Sequence, residues 1–194
     1  MKNMHKYWAS LGGVIGLSIL IYLPFTTLQW TDIEPLLWIH FSLLLFHQFE
    51  EYAYPGGFNH FFNQNIWNKN RVFRFPLNDA AILWVNIVIA WPAYLLSAIN
   101  NIKFPWLAIA LLLITITNGL LHTFIAIIKK QYNPGLITGF FLFIPFGLFV
   151  LLKHSESFTL QDWKSGIGIF IFGTACIPMT IYMSNKINTS TTSD

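Results

Sequence analysis

Long apolar runs separated by short polar ones dominate the chain. Six can be drawn, at 8–28, 35–54, 77–99, 104–128, 134–152 and 163–183. Each is close to the ~20 residues that a helix needs to cross the hydrocarbon of a bilayer. Helix is the expected form there, because lipid offers the backbone no hydrogen-bond partner. The pattern predicts an all-α polytopic transmembrane bundle of about six spans, forming one membrane domain over residues 1–187, with a Ser/Thr-rich tail at 188–194 expected to be disordered. The first run is longer than the apolar core of a signal peptide and no small-x-small cleavage site follows it, so it is read as a span. Pro24, Pro92, Pro145 and Pro178 fall inside or near the ends of these runs and mark expected kinks. The longest connection, 53–76, turns at Tyr54-Pro55-Gly56-Gly57 and then mixes aromatic residues with cations. It reads as an interfacial connector, with a lid over a site as the alternative.

Composition removes other classes. Hydrophobic residues make up 55% of the 194 and charged residues only 10%, against about 25% charged in a soluble domain. The 11 Lys and Arg form no dense basic stripe, so nucleic acid is not an expected partner. They divide instead by side. Lys2, Lys6, Lys69, Arg71, Arg74, Lys129, Lys130 and Lys186 fall on one side of the predicted bundle, and only Lys103, Lys153 and Lys164 on the other. Positive charge stays inside, which predicts both termini in the cytoplasm and a location in the bacterial cytoplasmic membrane, with membrane lipids as the surrounding partners. A single cysteine, Cys176, excludes an internal disulfide and a thiolate zinc site.

The chemistry-bearing residues gather at one depth. His47-Gln48-Phe49-Glu50-Glu51 closes the second run, and spacings of three and four place both glutamates on the helical face of His47. His40 is seven residues earlier on nearly the same face. In the fourth run Asn118 and His122 lie one turn apart, with Gly119 between them to permit close helix approach. Asn86 lies about two turns into the third run, and Tyr132-Asn133-Pro134-Gly135 opens the fifth. All map to the cytoplasmic half, and ionisable groups inside a span are functional candidates by default.

Two histidines and two carboxylates suit zinc, iron or manganese. His47, His122 and one or both of Glu50 and Glu51 are the expected ligands of such a divalent ion, with the remaining glutamate as base toward water. Asn118, Asn86 and Tyr132 are expected to orient ligands or stabilise developing charge, with His40 and Asn133 as further site candidates. The same groups would serve metal-free acid–base chemistry on a lipid-soluble substrate, or a polar network that only ties helices together. A proton-coupled transporter is a further class, disfavoured because the outer half offers little beyond Ser18, Thr138 and Thr174 as polar lining. The leading expectation is a metal-assisted membrane hydrolase acting on a lipid or other apolar substrate at the cytoplasmic side.

Three runs in this order, His-x-x-Glu-Glu at 47–51, Asn-x-x-x-His at 118–122 and Tyr-x-Pro-Gly at 132–135, resemble the HXXEE-motif family of integral membrane proteins. The resemblance extends from about Pro35 to Gly135. It implies a site at His47, Glu50, Glu51, Asn118, His122, Tyr132 and Asn133, and names no reaction.

Overall fold

The computed structural model describes residues 4–66 and 77–190, which hold helices and turns and no strands. Lys2, Trp67, Lys69, Arg71, Arg74 and Pro76, which entered the orientation and loop readings above, lie outside the described residues. The helices are α1 (Met4–Tyr22), α2 (Ile33–Tyr52), α3 (Phe58–Asn65), α4 (Asp79–Ile99), α5 (Pro105–Lys129), α6 (136–153) and α7 (Leu160–Ser190).

Five of them, α1, α4, α5, α6 and α7, are long and apolar enough to cross a membrane, which marks the chain as an integral membrane protein. The remaining expected span is α2. Its 20 residues would reach about 30 Å, but it carries two histidines and three glutamates. Those groups are tolerable because α2 stands in the middle of the bundle, where 13 of its residues are buried. The outside is the reverse: Val14, Leu17, Val88, Phe124, Phe141 and Phe172 are exposed, as a lipid-facing surface requires.

Boundaries differ from the sequence reading where local chemistry intervenes. α1 starts earlier and stops at Tyr22, because Pro24 tightens the next residues into a 3-10 turn over Leu23–Phe25. The disordered tail expected from residue 188 is corrected for its first residues. α7 remains helical through Ser190, since extending a helix already formed costs little compared with nucleating one. Part of the 53–76 connection is also helical, as α3.

The expected kinks at Pro92 and Pro145 take a specific form. A π-helical stretch precedes each, at Trp84–Ala90 in α4 and Gly139–Phe143 in α6. Proline cannot donate to the preceding turn and its ring crowds the carbonyl four residues back, and a wider turn relieves both constraints. In such a turn residues five apart share a face. Asn86 and Trp91 accordingly both reach the side-chain amide of Gln48: Gln48 Nε2 donates to Asn86 Oδ1 at 3.0 Å and Trp91 Nε1 donates to Gln48 Oε1 at 2.7 Å. Gly139 and Ile144, also five apart, both pack on Gly119, where a Cβ would lie 2.5 Å from the Gly139 carbonyl oxygen. Small residues thus set the closest approaches, as in other membrane bundles.

α2 and α5 run side by side in the same direction. His40 meets Thr115 and His47 meets His122, so the seven-residue spacing on one helix is matched on the other. That register brings the two histidines of the motifs to one depth.

Candidate metal centre

His47, Glu51 and His122 converge in the interior, all three buried, and form a group that can hold a metal ion. Glu51 Oε1 lies 3.6 Å from His47 Nε2 and 3.4 Å from His122 Nε2, and one ligand atom from each residue lies within 4.8 Å of the others. The imidazoles stand edge to face, with ring centroids 5.0 Å apart and planes at 85°. Phe143 packs against the His47 ring at 4.3 Å and Phe58 of α3 against the His122 ring at 5.2 Å.

Hydrogen bonding fixes which nitrogen of each ring carries its proton. His122 Nδ1 contacts Asn133 Oδ1, and the Asn133 amide nitrogen donates to the His122 carbonyl at 3.0 Å, which sets the orientation of that amide. An amide oxygen only accepts, so His122 Nδ1 is the donor. His47 Nδ1 lies 2.8 Å from Thr138 Oγ1, and the Thr138 hydroxyl in turn donates to Glu50 Oε2. A hydroxyl has one proton; given to the carboxylate, it leaves Thr138 as acceptor and His47 Nδ1 as donor. In the neutral tautomers so fixed, both rings face Glu51 with bare Nε2 lone pairs. His47 Nε2 has no hydrogen-bond partner among the described residues although it is buried. Two lone pairs and a carboxylate facing one another out of water are mutually repulsive unless a cation lies between them.

Glu50 departs from the role assigned on spacing. It does not join the group as a second carboxylate, because its oxygens are committed elsewhere. Oε1 accepts from the Tyr132 hydroxyl at 2.8 Å and from the Ile137 amide at 3.0 Å, and Oε2 accepts from the Thr138 amide at 2.7 Å and from the Thr138 hydroxyl. The carboxylate thus caps the first turn of α6, where unpaired N–H groups and the helix dipole favour an anion. Burial and the adjoining Glu50 carboxylate push the Tyr132 phenol above its ordinary pKa, so it remains a donor.

The other candidates divide. Asn133 is fully buried and orients His122. Tyr132 reaches Glu50 rather than the centre. Asn86 belongs to the Gln48–Trp91 network and is satisfied there, its Nδ2 donating to the Ile82 carbonyl at 2.9 Å. His40 is removed from the site: its Nε2 lies 2.7 Å from Thr115 Oγ1, which Tyr94 also contacts at 2.7 Å. Seven residues of helix put it about 10 Å deeper than His47. Asn118 lines the same cleft as Glu51 and His122, one turn from His122. Gly135, with φ of +97°, comes against both imidazoles.

Thr138 was visible in the sequence only as a minor polar residue, and its position between Glu50 and His47 came from the fold. Thr138→Val keeps its shape and removes the link. Its expected effect is a 10–100-fold loss of metal affinity, with Thr138→Ser restoring most of it. Titration of a zinc-competing chromophore measures both, and equal affinities for valine and serine would remove Thr138 from the ligand-orienting role.

The motifs therefore meet in space: His47 and Glu51 from the first, His122 from the second, and Asn133 and Gly135 from the third surround one point. No curated protein and no solved structure matches the chain. A family model described as a protein of unknown function with HXXEE motif matches residues 38–150, a stretch that contains all three runs together with Thr138 and Phe143. With more than half of its length matched, this chain belongs to the HXXEE family.

Proposed function

We propose that His47, Glu51 and His122 bind one divalent metal ion and that the chain is a metal-dependent membrane hydrolase acting on a lipid or other apolar substrate, with the site on the cytoplasmic side. The observation that carries this reading is the convergence of two Nδ1-protonated imidazoles and a carboxylate. The spacing supports it. The Nε2–Oε1 separations of 3.4 and 3.6 Å exceed those of charge-assisted hydrogen bonds, about 2.7–2.9 Å. They match the edge of a tetrahedron with metal–ligand bonds of about 2.1 Å, which is about 3.4 Å. The third ligand-to-ligand distance lies within 4.8 Å.

Three protein ligands leave a position for water or substrate, the pattern of catalytic rather than structural zinc. An ion there would supply Lewis acidity and make water more acidic. With Glu50 committed to α6, proton transfer falls to Glu51. One of its oxygens suffices for a ligand, which leaves the second to accept a proton. The cleft that reaches Glu51 and His122 is lined mostly by apolar side chains, which suits a substrate arriving from the bilayer.

Elemental analysis of gently purified protein tests the centre. The expected content is about one divalent ion per chain, lost in His47→Ala and in His122→Ala while both variants stay monodisperse and helical. Wild-type protein that holds no stoichiometric ion, even after incubation with zinc, iron(II) or manganese(II), would end the proposal.

A further inference from the structure

A cleft of about 290 Å³ runs between α3, α4, α5 and α7 and ends on Glu51 and His122. On α5 it extends from Ile114 to Ile125, about 16 Å of helix. Its wall includes Leu121 and Ile177, both exposed on the outer face, so the cleft opens sideways toward lipid. Phe58 and Phe62 of α3 line it beside His122, whose ring Phe58 meets at 5.2 Å.

Two amides stand in this wall. Asn86 is fully engaged by Gln48 and its own helix. Asn118 makes no side-chain hydrogen bond among the described residues, although it sits near the middle of α5. An amide unpaired at that depth is costly and is poised to donate to an acceptor that arrives from outside. The acceptor must accompany hydrocarbon, since apolar side chains make up most of the cleft. The volume is at the small end of ligand sites, which run from about 300 to 1,000 Å³, and admits one chain rather than two.

We infer that the cleft binds a single-chain acyl lipid, with its carbonyl oxygen on the Asn118 side-chain amide, one turn from His122, and its hydrocarbon leaving between Leu121 and Ile177. This names the substrate class for the hydrolase reading and rests on that reading for the reaction that follows binding. Binding itself requires no metal.

The probe is a palmitoyl glycerol whose ester oxygen is replaced by CH₂, leaving a ketone that cannot be hydrolysed, with a photoreactive diazirine midway along its chain. Its partner compound has the ketone replaced by CH₂. With full-length protein in nanodiscs, the ketone is expected to bind about tenfold more tightly than its partner, the worth of one buried hydrogen bond. Photolabelling should fall on Leu121 and Ile177. Asn118→Leu should reduce the preference to about onefold while metal content stays at the wild-type level. Ile177→Trp, which fills the exit and leaves Asn118 in place, should abolish the labelling. Equal binding of the two compounds to wild type, or labelling confined to sites outside the cleft, would overturn the inference. Wild-type protein that takes up no ion from zinc, iron(II) or manganese(II) yet still prefers the ketone would overturn the hydrolase reading and leave the lipid site standing.

Discussion

Glu51→Gln is expected to empty the metal centre while leaving the bundle folded. Glutamine has the shape of glutamate but not its charge, and a neutral amide is a poor ligand. Structural zinc sites with four ligands bind with about 10–16 kcal/mol, so one ligand carries about 3–4 kcal/mol, on the order of a thousandfold in affinity. The fold should not suffer in proportion. Glu51 contributes its charge to a buried spot where, among the described residues, its ion-pair contacts are the two imidazoles. A buried anion whose counter-charge has been removed is a larger liability than an amide. Metal-free Glu51→Gln should therefore melt no lower than metal-free wild type. Calorimetric zinc titration beside thermal melts with and without chelator measures both quantities. Zinc affinity within tenfold of wild type would show that the carboxylate is not a ligand and that the trio is a hydrogen-bonded cluster.

Gly135→Ala is the second change expected to have a large effect, although it touches no ligand atom by charge. The backbone there has φ of +97°, and a Cβ would lie 2.5 Å from His122 Cε1 and 2.9 Å from His47 Cε1. The left-handed backbone and the overpacking together should cost about 2–4 kcal/mol. Both imidazoles must also move, and with them the Nε2 atoms that define the site. Gly57 supplies the control, since its φ is +87° but a Cβ there would meet nothing within 4 Å. Gly57→Ala should show only the backbone part, about 1 kcal/mol, and keep its metal. If the two alanines lower the melting temperature equally and both retain metal, the contact with the imidazoles is not what Gly135 provides.

The sequence carried the bundle and half of the site. Six apolar runs stood out because lipid imposes one length and one kind of backbone on every span. His47 and His122 were legible as partners because helix rise puts both at similar depth below the ends of their spans. The two adjacent glutamates were not separable. On a helix they flank His47 by about 60° and 40°, and their division between His122 and the start of α6 depends on where α5 and α6 stand. His40 looked like a further candidate because seven residues return it to nearly the same face. Distance along the axis removed it, and Thr115 and Tyr94 satisfy it instead. Gln48 lies within the first motif at a position with no assigned role, yet it holds α4 through Asn86 and Trp91. That contact needs a π-helical turn, which a pattern read at 3.6 residues per turn does not reveal.

The central placement of α2 bears on how this protein enters its membrane. α2 is less apolar than the five long helices that qualify as spans, with three glutamates and two histidines along it, so it is the segment least suited to leave the translocon by itself. α1 is synthesised first and meets α2 through Gly12, Gly13 and Gly16, whose missing side chains leave room for Leu45, Phe49 and the Ser42 carbonyl. Delivery of the two as a closed hairpin shields part of α2 before α5 and α6 arrive to take up His47, Glu50 and Glu51. Larger residues at those three positions are therefore expected to lower the yield of membrane-inserted protein, measured by expression of Gly13→Leu beside wild type, although none of them touches the centre.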